Sequence, residues 1–222
     1  MYLQFLSFTA GVILISCPVT GQTSAVDADL AKLQIQVVEG ATRGVSIMDI
    51  LVSLRKQGLE VNLEMIAGAM APFTINNVSI ERRVFLGKTS MSFDELFRTA
   101  VKDLGYAYEV SAGTVTIYSP ATREFGEDYP LIKKIDHLEI KGLTYSEAIA
   151  AISEKCNISL LAMEFSNQPN LDKKLDISLH DTTVREALTK LTNAVGERGW
   201  VSDVHTLRSE GAAPRIIMRV TR

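Results

Sequence analysis

The sequence predicts an α+β fold made of two tandem β-α-β-β-α-β-β units, each a small, mostly antiparallel sheet covered on one face by two helices. Three observations carry this. Met91-Ser92-Phe93-Asp94-Glu95-Leu96-Phe97, closing at Gly105, is echoed by Thr182-Thr183-Val184-Arg185-Glu186-Ala187-Leu188, closing at Gly196, with glutamate on glutamate and glycine on glycine at one offset. Ser46-Ile47-Met48-Asp49 is echoed by Thr144-Tyr145-Ser146-Glu147. Between these stretches, apolar runs of helical period give way to runs that alternate residue by residue. Apolar faces and caps recur wherever one backbone recurs, so the repeat speaks of fold before chemistry.

The elements follow in order. Leu33, Ile35 and Val37 alternate as an opening strand. Ser46 stands three residues before Asp49, the spacing in which a hydroxyl caps an orphan N–H and the acid reaches back. Ile47, Ile50, Leu51 and Leu54 then form a one-sided stripe that ends at Gly58. Leu59, Val61 and Leu63 alternate with Glu60 and Asn62, as in a strand with one wet face. Val84–Leu86 is a further strand, and Ser92 with Glu95 opens the helix of Phe93, Leu96, Phe97, Ala100, Val101 and Leu104. After Gly105, Tyr106, Tyr108 and Val110 lead to an Ala112-Gly113 turn and a return strand through Val115 and Ile117.

The second unit repeats the order. Leu138 and Ile140 open it, Thr144 with Glu147 starts the helix of Tyr145, Ala148, Ile149 and Ile152, and Leu175, Ile177 and Leu179 alternate. Thr183 with Glu186 starts the helix of Val184, Ala187, Leu188, Leu191 and Val195, and a hairpin runs from Trp200 to Val220. Ser92 and Thr183 hold matching places, which predicts caps of similar worth. Prolines 120 and 130, Gly126 and few apolar residues mark 119–130 as a linker. The predicted domains are thus 31–118 and 131–222, and the second is expected to fold alone.

The N-terminal 1–25 reads as an export signal. Tyr2–Cys17 is nearly all apolar or small, shorter than the roughly 20 residues of a membrane span, and is followed by a small, polar stretch. Two processing routes fit. Leu14-Ile15-Ser16-Cys17 is similar to a lipoprotein signal with Cys17 acylated, and plain cleavage near Gly21 or Ala25 is the other. Either way the expected location is periplasmic or secreted, with the outer membrane reached only through a lipid on Cys17. Either route leaves Cys156 as the one thiol, so no disulfide framework is expected.

Charge and motifs narrow the chemistry. A net charge of −3 without a basic run argues against a nucleic-acid partner. His137, His180 and His205 lie in separate elements with no metal-ligand spacing, and no nucleophile elbow or phosphate loop occurs. The expectation is no catalytic, cofactor or metal residue, and no enzyme. Tyr106, Tyr108 and Tyr118 read as cross-strand packing. The turns Glu81-Arg82-Arg83 and Asp172-Lys173-Lys174 recur before corresponding strands and are the candidate partner contacts, beside the exposed sheet edges.

Leu175-Asp176-Ile177-Ser178-Leu179, Thr183-Val184-Arg185-Glu186-Ala187-Leu188 and Gly196 resemble the secretin/TonB short N-terminal domain, and Val84–Tyr118 resembles the same module. The resemblance covers residue 33 to the end. It implies periplasmic domains that bind inner-membrane or signalling proteins ahead of a pore or barrel. Here Arg222 follows the second hairpin, so the implied role is a stand-alone binding or assembly module with a protein partner in the cell envelope. Two alternatives stay open: a small envelope enzyme or ligand-binding protein with a pocket between the units, and a docking protein of an envelope signalling pathway.

Overall fold

A computed structural model describes residues 28–37, 44–66, 73–75, 78–80, 82–163, 170–205 and 215–220. The predicted signal with Cys17, and Glu81 of the first candidate turn, lie outside the described residues. No helix among the described residues is long and apolar enough to cross a membrane.

The fold is α+β. After α1 (Ala28–Lys32), the first half runs β1 (Gln34–Gln36), α2 (Ile47–Lys56), β2 (Glu60–Ile66), the pair β3 (Phe73–Ile75) and β4 (Val78–Ile80), β5 (Ser90–Ser92), α3 (Phe93–Leu96), β6 (Ala107–Ser111) and β7 (Thr114–Tyr118). The second runs β8 (Lys134–Leu143), α4 (Tyr145–Lys155), β9 (Ser159–Met163), β10 (Leu175–Thr183), α5 (Val184–Ala194), β11 (Trp200–His205) and β12 (Arg215–Val220). The expected strand at Val84–Leu86 is only a single bridge from Val84 to Val45, and β5 takes its place.

The helix starts follow from their caps. Ser46, Thr144 and Thr183 each form the complete reciprocal box with the acid three residues on. Ser92 makes only half of one: its hydroxyl accepts from the Glu95 N–H, while the Glu95 carboxylate turns to Lys88 at 2.5 Å. Beyond Leu96 that helix loosens into a π turn over Phe97–Val101. Its apolar face still stacks Phe93 on Phe97 at 4.2 Å, and Phe97 meets Tyr108 at 4.4 Å. Ala112 and Gly113, both at positive φ, make the expected two-residue turn between β6 and β7.

The sheet departs from the expectation of two separate, mostly antiparallel sheets. β1 pairs with β5, and β8 with β10, as antiparallel ribbons. The other long strands form one six-stranded sheet in the order β6-β7-β2-β11-β12-β9, running through both halves. It is mixed: β2 with β7, β2 with β11 and β12 with β9 run parallel. It is also covered on both faces. Val61, Leu63 and Val201 join the core of α2 and α3, whereas Trp200, Val204, Ile216 and Leu160 join the core of α4 and α5. The parallel register sets this, because Val201 lies beside Leu63 and shares its face, and Trp200 therefore points the other way.

Residues 119–130 are not the bare linker that their composition suggests. Pro120–Asp128 winds in 3-10 turns broken at Gly126, and Thr122 and Tyr129 are buried. The reason is a partner in the sheet: the Tyr129 hydroxyl donates to Glu64 on β2 at 3.0 Å.

Candidate functional site

The sheet ends in two edges. Among the described residues, no strand pairs with the outer side of β6 or of β9. The edges differ in chemistry. On β6, Glu109 accepts from Arg123 at 3.1 Å and from Arg185 at 3.2 Å, which ties that edge inward. On β9, Ser159-Leu160-Leu161-Ala162-Met163 is uncharged, Leu160 is buried, and Leu161 is 39% exposed. An uncharged, half-apolar edge lacks the lysine or proline that blunts strand addition.

Between the halves lies a second feature. Glu64, fully buried, meets Arg185 from α5, with Nη2 3.0 Å from Oε2, and Arg123 at 3.5 Å. Burial pulls the Arg185 pKa down, but the Glu64 carboxylate outweighs it and the guanidinium stays firmly charged. Burial, with Glu64 beside it, pushes the Tyr129 hydroxyl well up, so it remains a donor. Across the same junction Arg55 donates to the carbonyls of Val61 at 2.6 Å and Trp200 at 3.3 Å, and burial lowers its pKa to about 10.

Next to this network is an open groove of about 430 Å³, lined by Glu60, Asn62, Thr114, Thr189 and Asn193 and reaching His180. Its polar groups hold one another. Glu60 accepts from Thr114 and Asn193, both at 3.1 Å. Thr189 Oγ1 accepts from Asn62 at 3.0 Å and from the Trp200 indole N–H at 3.2 Å, and itself donates to the Arg185 carbonyl. Glu186 is held by the Thr183 cap at 2.8 Å. These groups staple α5 to the first-half strands.

The predicted contact turns are used locally. Arg83 donates to Asp49 at 3.3 Å and to the Gly44 carbonyl at 3.1 Å. Lys174 meets Glu147 at 3.1 Å, and Lys173 donates to the Ala194 carbonyl at 3.0 Å. In both halves the recurring basic residue therefore braces the acid of a capping box, which gives the repeat a structural cause. Arg82 and Asp172 are exposed, as is Phe85, at 73%, beside the first turn. Cys156 is half-buried at the end of α4, and burial raises its thiol pKa, the mark of an inert cysteine. Tyr118 lies under the Arg123 guanidinium at 4.0 Å, and Tyr108 packs on Phe97, so these rings serve packing.

The histidines are where spacing misled. His137 and His180 stand directly opposite each other on β8 and β10, with their Nδ1 atoms 3.0 Å apart and Glu139 beside them. Sequence spacing sees ligands on one helix or in one loop. It does not see a cross-strand pair, which depends on a register set by residues 43 apart. The other residues that sequence reasoning missed are Glu64, Glu109, Arg123, Arg185 and Tyr129, because each reads as ordinary until α5 is laid on β2. No family model, curated protein or solved structure matches the chain.

Proposed function

We propose that the chain is an exported, non-enzymatic interaction module of the cell envelope, built of two tandem units similar to the secretin/TonB short N-terminal domain, that captures a protein partner by strand addition at β9. The observation that carries this reading is the open, uncharged β9 edge. Its counterpart β2 occupies the same place in the first half, beside the return strand of a hairpin, and takes β11 as a parallel neighbour. An incoming extended segment would lie parallel to β9 in the same way, with main-chain bonds for affinity and Leu161 for selectivity.

The tandem reading is supported by an element order that matches apart from the added β3–β4 pair, and by corresponding pairings in the two halves: an opening ribbon, a hairpin, and a parallel strand beside the hairpin. A ligand-binding or enzymatic reading is less favoured, because Glu60, Glu186 and Thr189, which face the groove, are each held by neighbouring protein groups. Export is supported by the apolar N-terminal run.

Capture from envelope fractions tests the reading. Leu161→Pro, and the milder Leu161→Lys, should abolish or weaken partner capture while far-UV circular dichroism and Trp200 fluorescence stay native. His137→Ala, His180→Ala and His205→Ala should capture as the parent does. Undiminished capture by both folded Leu161 variants overturns strand addition. Intact mass of the exported protein decides processing: a diacylated form starting at Cys17 assigns the lipid anchor, and a start beyond Cys17 removes it.

A further inference from the structure

We propose that His137, His180 and Glu139 form a surface site for a zinc-type divalent transition-metal ion. The ribbon of β8 and β10 builds it. His137 faces His180, and Glu139 faces Ser178 two residues along, so all four side chains stand on one face by the period of two. Ile140 and Leu179, on the opposite face, are buried in the core of α4 and α5 and hold the ribbon in place. The register is thus fixed by apolar packing, and the ligands are presented rather than left to chance.

The geometry fits an ion. The two Nδ1 atoms are 3.0 Å apart, and Glu139 Oε1 lies 3.8 Å from Nε2 of His137 and 3.7 Å from Nε2 of His180. One ligand atom from each residue falls within 4.8 Å of the others. At metal–nitrogen bonds of about 2.0–2.1 Å, two nitrogens so spaced subtend roughly 95° at the ion, and ligands on one ion lie up to about 4.3 Å apart. The imidazoles are more than half exposed, so rotation about their side-chain bonds closes the remaining gap.

The donor chemistry favours the same thing. Each neutral imidazole carries one lone pair, and an ion set between the facing Nδ1 atoms takes one from each ring. Ser178 supplies an outer support: its hydroxyl bonds to Glu139 and lies 2.6 Å from His180 Nε2, which leaves His180 Nδ1 turned to its neighbour. Lys141, 3.7 Å from Glu139, is a cation an incoming ion would have to displace. Three protein ligands leave at least one coordination position open to water.

Calorimetric titration of the exported protein with zinc chloride tests the site. One equivalent should bind with micromolar or tighter affinity, and cobalt(II) should give a visible ligand-field spectrum. His137→Ala and His180→Ala should each weaken zinc at least ten-fold and erase the cobalt spectrum, Glu139→Gln should weaken it less, and His205→Ala should change nothing. Because all three residues are exposed, far-UV circular dichroism should stay native in each variant. No stoichiometric zinc uptake by the parent protein, or equal uptake by both single histidine variants, overturns the proposal. Either result leaves partner capture at β9 standing or falling on its own.

Discussion

β2 and β9 occupy equivalent places in the two halves, each parallel to the return strand of a hairpin, yet their surroundings differ. β2 is buried on both faces and paired on both edges, and carries Asn62 and Glu64 into the interior. β9 has Leu160 buried, Leu161 exposed, and one edge without a partner strand among the described residues. The difference lies in what each strand presents to its outer side. The polar row of β2 meets Arg185, Thr189 and Trp200, and these bonds admit one register only. β9 presents no such row to a helix, and no strand among the described residues takes its outer edge.

The sharpest way to break the comparison is to close the β2 side. Gly199, at φ 136°, sits where β11 enters alongside β2, and a Cβ there would fall 2.0 Å from the Val61 carbonyl oxygen. Both the backbone conformation and the space demand glycine. Gly199→Ala should cost about 4 kcal/mol or more, since a main-chain clash has no side chain to move aside. Denaturant unfolding measures it. A loss under about 1 kcal/mol, the range of an unremarkable substitution, would mean that the β2–β11 junction yields easily and is no different from an open edge.

Next in size is the buried charge. Glu64→Ala should cost about 3–5 kcal/mol, because it leaves the mostly buried Arg185 guanidinium with Glu109 alone and removes the acceptor of the buried Tyr129 hydroxyl. Glu64→Met combined with Arg185→Met should recover most of that loss, since an apolar pair of similar volume avoids the desolvation of two ions. A double-mutant cycle with the single variants isolates the coupling. If the double variant is folded but captures a partner or self-associates where the parent does not, the ion pair serves register more than stability.

What could be read from the sequence, and what could not, divides along the same line. The cap boxes, the helix stripes, the Ala112-Gly113 turn and the stop at Gly196 are local, so a few neighbouring residues state them. The pairing of β2 with β11 is not. Leu59-Glu60-Val61-Asn62-Leu63 reads as a strand with one wet face, and it is the arrival of Tyr129 and, more than a hundred residues later, of α5 that makes Asn62 and Glu64 interior. The same limit hid the His137–His180 pair. The composition of 119–130 also misled, because two prolines and a glycine describe a chain that turns, whether or not Tyr129 then docks on Glu64. Residues 131–222 alone should therefore unfold at lower denaturant than the whole chain, with Val201 and Arg185 uncovered.

A smaller effect separates two caps that look alike in sequence. Thr183 makes the full reciprocal box with Glu186, whereas Ser92 keeps only the bond from the Glu95 N–H. Thr183→Ala should cost about 1–2 kcal/mol and Ser92→Ala about 0.5–1 kcal/mol. Chemical denaturation of the two variants checks the order. Equal losses would make the Glu95–Lys88 pair an adequate substitute for the missing half of the box.

The smallest effect is one of pH, and it tests the bracing of the caps by the basic turns. Glu147 accepts from the Thr144 backbone N–H and from Lys174, in that order of importance, and its pKa falls from 4.5 to about 2. A carboxyl depressed in the folded state contributes stability above its unfolded pKa and loses it as pH falls through the folded one. The contribution of Glu147 should thus be intact at pH 5 and above and fade between about pH 4.5 and pH 2. Glu147→Gln should flatten the fall in thermal midpoint over that window, and Lys174→Ala should flatten it partly, because the backbone bond is the larger cause. Both side chains are solvent-exposed, so added salt should shrink the Lys174 share and leave the backbone share in place. A Lys174→Ala profile that overlays the parent at low and high salt alike would leave the recurring lysine without a role in the cap, and would return Asp172-Lys173-Lys174 to the partner-facing surface.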